Sequence, residues 1–295
     1  MAPTPPQVLV VGAFTADVFA DETRPGGAVS YAARAATALG RQLSILTIGN
    51  SGADLSAFDG HDIELVPDTT LAFAHDATAD GERSLTLRAR PSRPLVASDL
   101  PARWAEPSLV ILAPLLPDDI DLPSFDGFAP EAPRALLAQG LQRVIAQSST
   151  VVTRSRPSSD LIQAMTVTTT LFLSSEETSS WTYEDVTLLI GHGMRFVITR
   201  GAAGASIYGG GHGAIELDAV PTEAVDNTGA GDVFATSFML AGAEGLDDTA
   251  AGILAGELAA AAVERTGPAA LPARRIGEPA TMPDSQPTHS QRSSS

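Results

Sequence analysis

Cysteine and lysine are both missing from the 295-residue chain, and aromatic residues make up only 5% of it. The first absence excludes disulfides, thiolate nucleophiles and Cys-ligated zinc or iron–sulfur sites, and it leaves the redox compartment unreadable. The second means that all 18 basic residues are Arg, so a phosphate bound here must be held by guanidinium groups, backbone amides or a metal ion. Positive charge itself is scarce. With 35 acidic residues the net charge is −17, which argues against a nucleic-acid partner because phosphate backbones select basic faces. The acidity otherwise reads as solvated surface. No apolar run approaches the roughly 20 residues of a membrane span. Met1-Ala2-Pro3-Thr4-Pro5-Pro6 lacks the basic-then-apolar order of a signal peptide, so no membrane and a cytoplasmic location are expected.

What the chain does contain is the material of a core, at 44% hydrophobic and 18% charged residues. Gln7 to Gly12 is a short apolar run ended by glycine, the pattern of a buried parallel strand entering a loop. An Ala-rich helical stretch from Val29 to Leu39, closed by Gly40, leads to a second strand from Leu43 to Gly49. Leu109–Ala113, Thr170–Leu173 and Phe196–Thr199 repeat the short apolar run, with a helical stretch from Tyr183 to Ile190 between the last two. This alternation predicts a three-layer α/β architecture with a mostly parallel sheet. Between about Ile63 and Leu95 the pattern changes. Leu71–His75 and Arg83–Arg88 alternate in polarity around Ala79-Asp80-Gly81-Glu82, which predicts a hairpin with one wet face, either a lid or an ordinary surface hairpin. Helices are predicted again over Val233–Leu240 and Ala251–Val263, the latter stopped by Gly267-Pro268. From Gly277 to Ser295 the composition offers little to bury, and a disordered tail is expected.

The most informative segment is Asp226-Asn227-Thr228-Gly229-Ala230-Gly231-Asp232, which runs straight into an apolar helix. The glycines around Ala230 let amides converge at a helix start, where unpaired N–H groups and the helix dipole favour an anion. Asp232 at the same spot is a poor neighbour for phosphate unless its carboxylate has chemical work, such as taking a proton from an attacking hydroxyl. The structural alternative is an Asp N-cap beside a tight Gly-Ala-Gly turn. The full string resembles the C-terminal signature of the ribokinase/PfkB family of carbohydrate kinases, and further stations of that family follow in the same order from about Val8 to Pro272.

The resemblance implies a ribokinase-like sandwich with a small β lid, a kinase domain over residues 1–276 with the lid inserted at about 63–95, and the tail at 277–295. It implies roles for particular residues. Asp17, in Gly12–Asp17, would bind substrate hydroxyls. Gly26 and Gly27 would let the backbone approach a sugar closely. Tyr31 stands where ribokinase-like members carry a sugar-binding Asn, which argues against ribose. Arg143, in Gln139–Arg143, would offset charge on the transferred phosphate. Glu177, in Ser174-Ser175-Glu176-Glu177, would act on the Mg²⁺ shell, a lone capping glutamate being the alternative. Thr199, Arg200, Gly201 and Gly204 would border the nucleotide. Asp226, Asn227 and Thr228 would shape the turn, and the amides of Gly229, Ala230 and Gly231 would stabilise the phosphoryl group while Asp232 acts as base.

The expected activity is therefore ATP-dependent phosphorylation of a hydroxyl on a small neutral sugar, an inositol-like polyol or a nucleoside, with Mg²⁺ and with a monovalent cation left open. Phosphosugars are disfavoured, because only Arg24 and Arg34 lie near the di-glycine segment. Pairing of two copies through the lid is a further implication. A catalytically silent nucleotide- or sugar-binding protein of the same fold is the rival, motivated by Ser174 and Tyr31 in place of the usual Asn residues. A dinucleotide-dependent oxidoreductase is weaker, since no G-x-G-x-x-G follows the first strand.

Overall fold

A computed structural model describes residues 7–77, 83–164, 169–191, 195–209 and 212–278. The N-terminal half contributes β1 (Val8–Val11), β2 (Thr15–Val18), β3 (Thr23–Gly26), α1 (Ala28–Ala38), β4 (Leu43–Gly49), β5 (Asp62–Pro67), β6 (Leu71–Ala77), β7 (Arg83–Ala89), β8 (Leu109–Leu112) and β9 (Arg134–Leu137). Then come β10 (Arg143–Ile145), β11 (Val151–Thr153), α2 (Ser159–Gln163), β12 (Thr169–Ser174), α3 (Ser175–Thr178), α4 (Tyr183–Gly191) and β13 (Arg195–Thr199). The chain closes with β14 (Ala205–Gly209), β15 (His212–Leu217), α5 (Ala230–Ala243) and α6 (Asp248–Val263).

Nine strands form one sheet in the order β15-β14-β13-β12-β9-β8-β1-β4-β5. From β13 to β5 every neighbour is parallel, and β14 and β15 return antiparallel at the other edge. The expected mostly parallel α/β sheet is thus what the chain forms. Its strands are apolar on both faces because both faces are covered: β1, β4 and β8 are buried at every position. α1, α5 and α6 pack on one another. Phe238 of α5 meets Phe172 of β12 edge-on at 5.8 Å, and truncating such a buried ring to alanine costs about 3–5 kcal/mol. Among the described residues no helix is long and apolar enough to cross a membrane.

A second, four-stranded sheet has the order β3-β2-β6-β7. The alternating runs pair as β6 and β7, antiparallel as expected; the segment Ala79–Glu82 lies outside the described residues. Two features differ from the expectation. Asp62–Pro67 pairs in parallel with β4 and closes the large sheet, so its alternation reflects a half-wet edge strand rather than the lid. And β2 and β3, on either side of Phe19-Ala20-Asp21-Glu22, join the lid sheet, which hangs Asp17 and Gly26 on it. The β9 strand was not expected either, because an Arg heads its four-residue run, yet all four residues are buried. Of the tail expected from Gly277, residues 279–295 lie outside the described residues.

Candidate active site

Parallel strands deliver their carboxyl ends to one edge of the sheet. The chain lays down β4 and β5 on one side of β1 and β8, β9 and β12 on the other, and the crevice at such a reversal is where ligands bind in open α/β sheets. Asp17 follows β1, Arg143 follows β9, Glu177 follows β12 and Gly201 follows β13. The start of α5 brings in Asp232.

The turn before α5 is built of backbone. Gly229 is the N-cap in a left-handed conformation (φ 76°), which an L side chain adopts only under strain. A Cβ there would also fall 2.3 Å from the ring of Tyr31. At Gly231 the same construction meets nothing within 4 Å, so the turn is open on that side. The first intrahelical bond runs from Val233 N–H to Gly229 O at 2.9 Å; the amides of Gly231 and Asp232 precede it and are left by helix geometry to an outside acceptor. Asp226 pins the turn. Its Oδ1 accepts from Thr228 N–H (3.0 Å) and Thr228 Oγ1 (2.6 Å), and its Oδ2 from Gly267 N–H (3.3 Å). Asn227 is exposed.

Asp232 is not the cap that the structural alternative required. Gly229 caps the helix, and among the described residues no hydrogen bond or ion pair holds the Asp232 carboxylate. It keeps some surface open on the cleft while protein crowds its other sides. Desolvation, followed by the negative charge of Glu177, pushes its pKa up to about 7, against the pull of Arg143. Those effects outweigh the helix dipole, which would favour the carboxylate. An idle carboxyl that titrates near neutrality can accept a proton.

Arg143 stands at the centre. Its Nη1 donates to Leu115 O (2.8 Å) and its Cζ lies 5.2 Å from the centroid of the Phe73 ring. Burial lowers its pKa, opposed by the charges of Glu177, Asp119, Asp232 and Asp17, in falling order. No carboxylate among the described residues comes within ion-pair distance of it. It is a crowded guanidinium ringed by acids and paired with none of them. Asp119 was not singled out in the sequence. It is 4% exposed, accepts from Leu115 N–H at 2.8 Å, and is pushed by burial up to about 7; it braces the loop whose carbonyl holds Arg143.

Arg143 and Tyr31 each sense the charges of both Asp17 and Asp232, so the two carboxylates surround the same pair of side chains. Asp17 is 7% exposed, and its Oδ1 accepts from Thr15 Oγ1 at 2.9 Å. The two glycines beside it have a reason in the fold itself. A Cβ on Gly26 would fall 2.1 Å from Asp17 Oδ2, and one on Gly27 2.7 Å from Ala13 O. Side chains are excluded there by the Asp17 carboxylate and the β1–β2 segment themselves. Tyr31 is buried, with its ring under Gly229 and its pKa raised by burial first and then by Asp226, Asp17 and Asp232. It supports the turn. Arg34 is tied to Pro268 O (2.8 Å). Arg24 lies over Phe19 (4.5 Å), pairs with Glu22 and stands 3.9 Å from Asp226.

Glu177 is, first, a capping glutamate. Ser174 and Glu177 form a capping box, with Ser174 N–H donating to Glu177 Oε2 at 2.6 Å. Its position also lets it act electrostatically on Asp232 and Arg143. Among the described residues no group of three or more His, Asp and Glu side chains could by itself hold a metal. A Mg²⁺ that keeps several waters and shares substrate phosphates needs only one or two carboxylates, and Glu177 fits that donor role. Thr199 pairs in register with Ser174 and donates to Leu173 O (3.4 Å). Arg200 folds back on its own hairpin, bonded to Glu216 (2.7 Å) and Ser206. Gly201–Ala203 form an exposed turn, and Gly204 (φ 84°) is pressed against Leu217 O.

A family profile described as "pfkB family carbohydrate kinase" matches residues 112–274, more than half of the chain. No curated protein matches it closely. Among solved structures, a pyrophosphate-dependent kinase of the ribokinase family, complexed with a pyrophosphate analog and myo-inositol, superposes with a TM-score of 0.73 at 18% identity, covering 91% of this chain and 98% of that one. Arabidopsis thaliana ribokinase with ribose and ATP gives 0.66 at 17% identity, covering 91% and 96%. Thermotoga maritima ribokinase gives 0.68 at 16%, covering 91% and 97%. At these identities the likeness is one of fold.

Proposed function

Because this chain belongs to the pfkB family of carbohydrate kinases, we propose that it transfers the terminal phosphoryl group of ATP to a hydroxyl of a small neutral sugar, nucleoside or inositol-like polyol. Asp17 binds acceptor hydroxyls at the lid end of the cleft. The amides of Gly229, Ala230 and Gly231 and the guanidinium of Arg143 hold the phosphoryl oxygens. Asp232 takes the hydroxyl proton as the acceptor oxygen bonds to phosphorus and the bridging P–O bond to the departing ADP breaks. Glu177 would hold Mg²⁺ through water, and that ion, when bound, neutralises charge on the nucleotide oxygens. Thr199, Gly201 and Gly204 border the nucleotide with their backbone. Asp226, Asn227 and Thr228 shape the turn.

The observation that carries this reading is the idle Asp232 carboxyl, with its pKa near 7, at the open mouth of a glycine turn opposite an unpaired Arg143. A guanidinium without a carboxylate partner among four acids suits a transient anion between them. Inositol-like acceptors are favoured by the fold neighbour crystallised with myo-inositol. That neighbour uses pyrophosphate, but pyrophosphate lacks a base and ribose and depends on cations for its grip. With no lysine in the chain and Arg24 already paired with Glu22, ATP is the better donor.

The test is phosphate transfer with Mg²⁺ across a panel of cyclitols, sugars and nucleosides, run separately with ATP and with pyrophosphate, and NMR assignment of the hydroxyl modified. We expect ATP-dependent product on a neutral alcohol. Nucleotide binding without transfer to any acceptor would instead establish the silent binding protein.

A further inference from the structure

The lid strand β6 reaches both ends of the cleft with one face. Phe73 and His75 are two residues apart on a strand and therefore point the same way. Phe73 is buried and carries the Arg143 guanidinium on its ring at 5.2 Å. His75 stacks on Phe19 with ring centroids 4.7 Å apart and planes 13° from parallel, and Arg24 covers Phe19 as well, at 4.5 Å. The imidazole is therefore held in orientation. Its Nε2 is buried with no hydrogen-bond partner and stands 3.7 Å from Asp17 Oδ1.

A buried, unpartnered ring nitrogen is unfavourable unless some state of the molecule uses it. It faces Asp17 Oδ1, which already receives Thr15 Oγ1 at 2.9 Å. Closing the gap by less than about 1 Å would make a hydrogen bond of ordinary length. With its proton on Nε2, His75 would then share Oδ1 with Thr15 and hold the carboxylate in place for the acceptor.

Resting on the kinase reading above, we propose that β6 positions one charged group at each end of the cleft, His75 orienting Asp17 at the acceptor end and Phe73 seating Arg143 at the phosphoryl end. Both are positioning residues, since each acts through another side chain. Their kinetic signatures differ. Asp17 binds the acceptor in ground state and transition state alike, so a fault passed through His75 appears in the acceptor KM. Arg143 meets charge that matters in transfer, so a fault passed through Phe73 appears in kcat.

The test compares His75→Leu, His75→Gln and Phe73→Leu in the full chain. His75→Leu is expected to raise the acceptor KM about tenfold with donor KM and kcat little changed, the scale of a hydrogen bond to a charged group. His75→Gln, which keeps an N–H donor, is expected to recover most of that. Phe73→Leu is expected to lower kcat roughly threefold at unchanged acceptor KM. An acceptor KM unmoved by His75→Leu, or moved equally by His75→Gln, overturns the proposal. A readout independent of turnover is the thermal-unfolding cycle of His75→Leu with Asp17→Asn. Non-additive melting shifts support the contact and additive shifts overturn it. An inactive wild type with intact coupling would defeat the kinase reading and leave the positioning contact standing.

Discussion

The turn before α5 and the lid are built by opposite means. The turn presents backbone: Gly229 in a left-handed conformation, Gly231 opening on empty space, and one carboxyl, Asp232, that nothing holds. The lid presents side chains, with Asp17, His75, Phe19 and Arg24 braced against one another and Phe73 against Arg143. Backbone amides grip any phosphoryl group alike, whereas a cluster of side chains can be exchanged piece by piece as the acceptor changes. Under the proposed function, chemistry sits on the backbone turn and acceptor specificity on the side chains of the lid.

The sharpest way to break that division is Asp232→Asn. We expect kcat to fall about 10³-fold, within the range for loss of a general base, with nucleotide affinity retained. The same substitution should raise the melting temperature. In the native protein the carboxyl is raised from 3.8 to about 7, so the folded state binds more protons than the unfolded one between those values and wild-type stability falls as pH rises through that window. The melting advantage of the Asn variant should grow from about pH 4 to about pH 7 and then level off. A variant that retains full turnover would remove the turn from the chemistry.

Next in size is a contrast of two glycines. Gly229→Ala meets both a left-handed backbone and the Tyr31 ring, and should destabilise the fold by about 2–4 kcal/mol, strain and overpacking together. Gly231→Ala meets open space and should melt like the wild type, yet lose transfer because the methyl group stands in the anion's place. Equal melting losses would show that the turn is merely packed. On the lid side, Asp17→Asn should raise the acceptor KM by about ten- to a hundredfold, the loss of a charged hydrogen-bond acceptor, and leave the donor KM alone. The smallest effect is expected for Tyr31→Phe, which keeps the ring under Gly229 and removes only the hydroxyl. Turnover within a few-fold of wild type would assign this residue to the turn, and a selective change of preferred acceptor would assign it to the lid.

That same division explains how much was legible beforehand. The strands from β1 to β13 that are apolar throughout, and the helices that follow Gly229 and Asp247, announce themselves through local pattern. So does the string from Asp226 to Asp232, because a turn made of glycines leaves a trace in consecutive residues. The lid's contribution is spread over β2, β3 and β6, which pair only after the chain folds. Nothing local marks His75 as the neighbour of Asp17, or Asp119 as the brace behind Arg143. Tyr31 could be aligned with a sugar-binding position, but only the packing of α1 against α5 reveals the ring beneath Gly229. Gly26 and Gly27 were recognisable as sites where side chains are forbidden, while the obstructing groups, the Asp17 carboxylate at Gly26 and the Ala13 carbonyl at Gly27, were not.

The pH dependence of kcat/KM tests most directly the claim that Asp232 works as a base between Glu177 and Arg143. It should be recorded for the wild type, Arg143→Met and Glu177→Gln, the last of which retains the cap on Ser174. Since burial and Glu177 raise the Asp232 pKa and Arg143 lowers it, the wild-type profile should rise to a plateau with a midpoint near pH 7, moving to higher pH in Arg143→Met and to lower pH in Glu177→Gln. A midpoint that stays put in both variants would contradict the account.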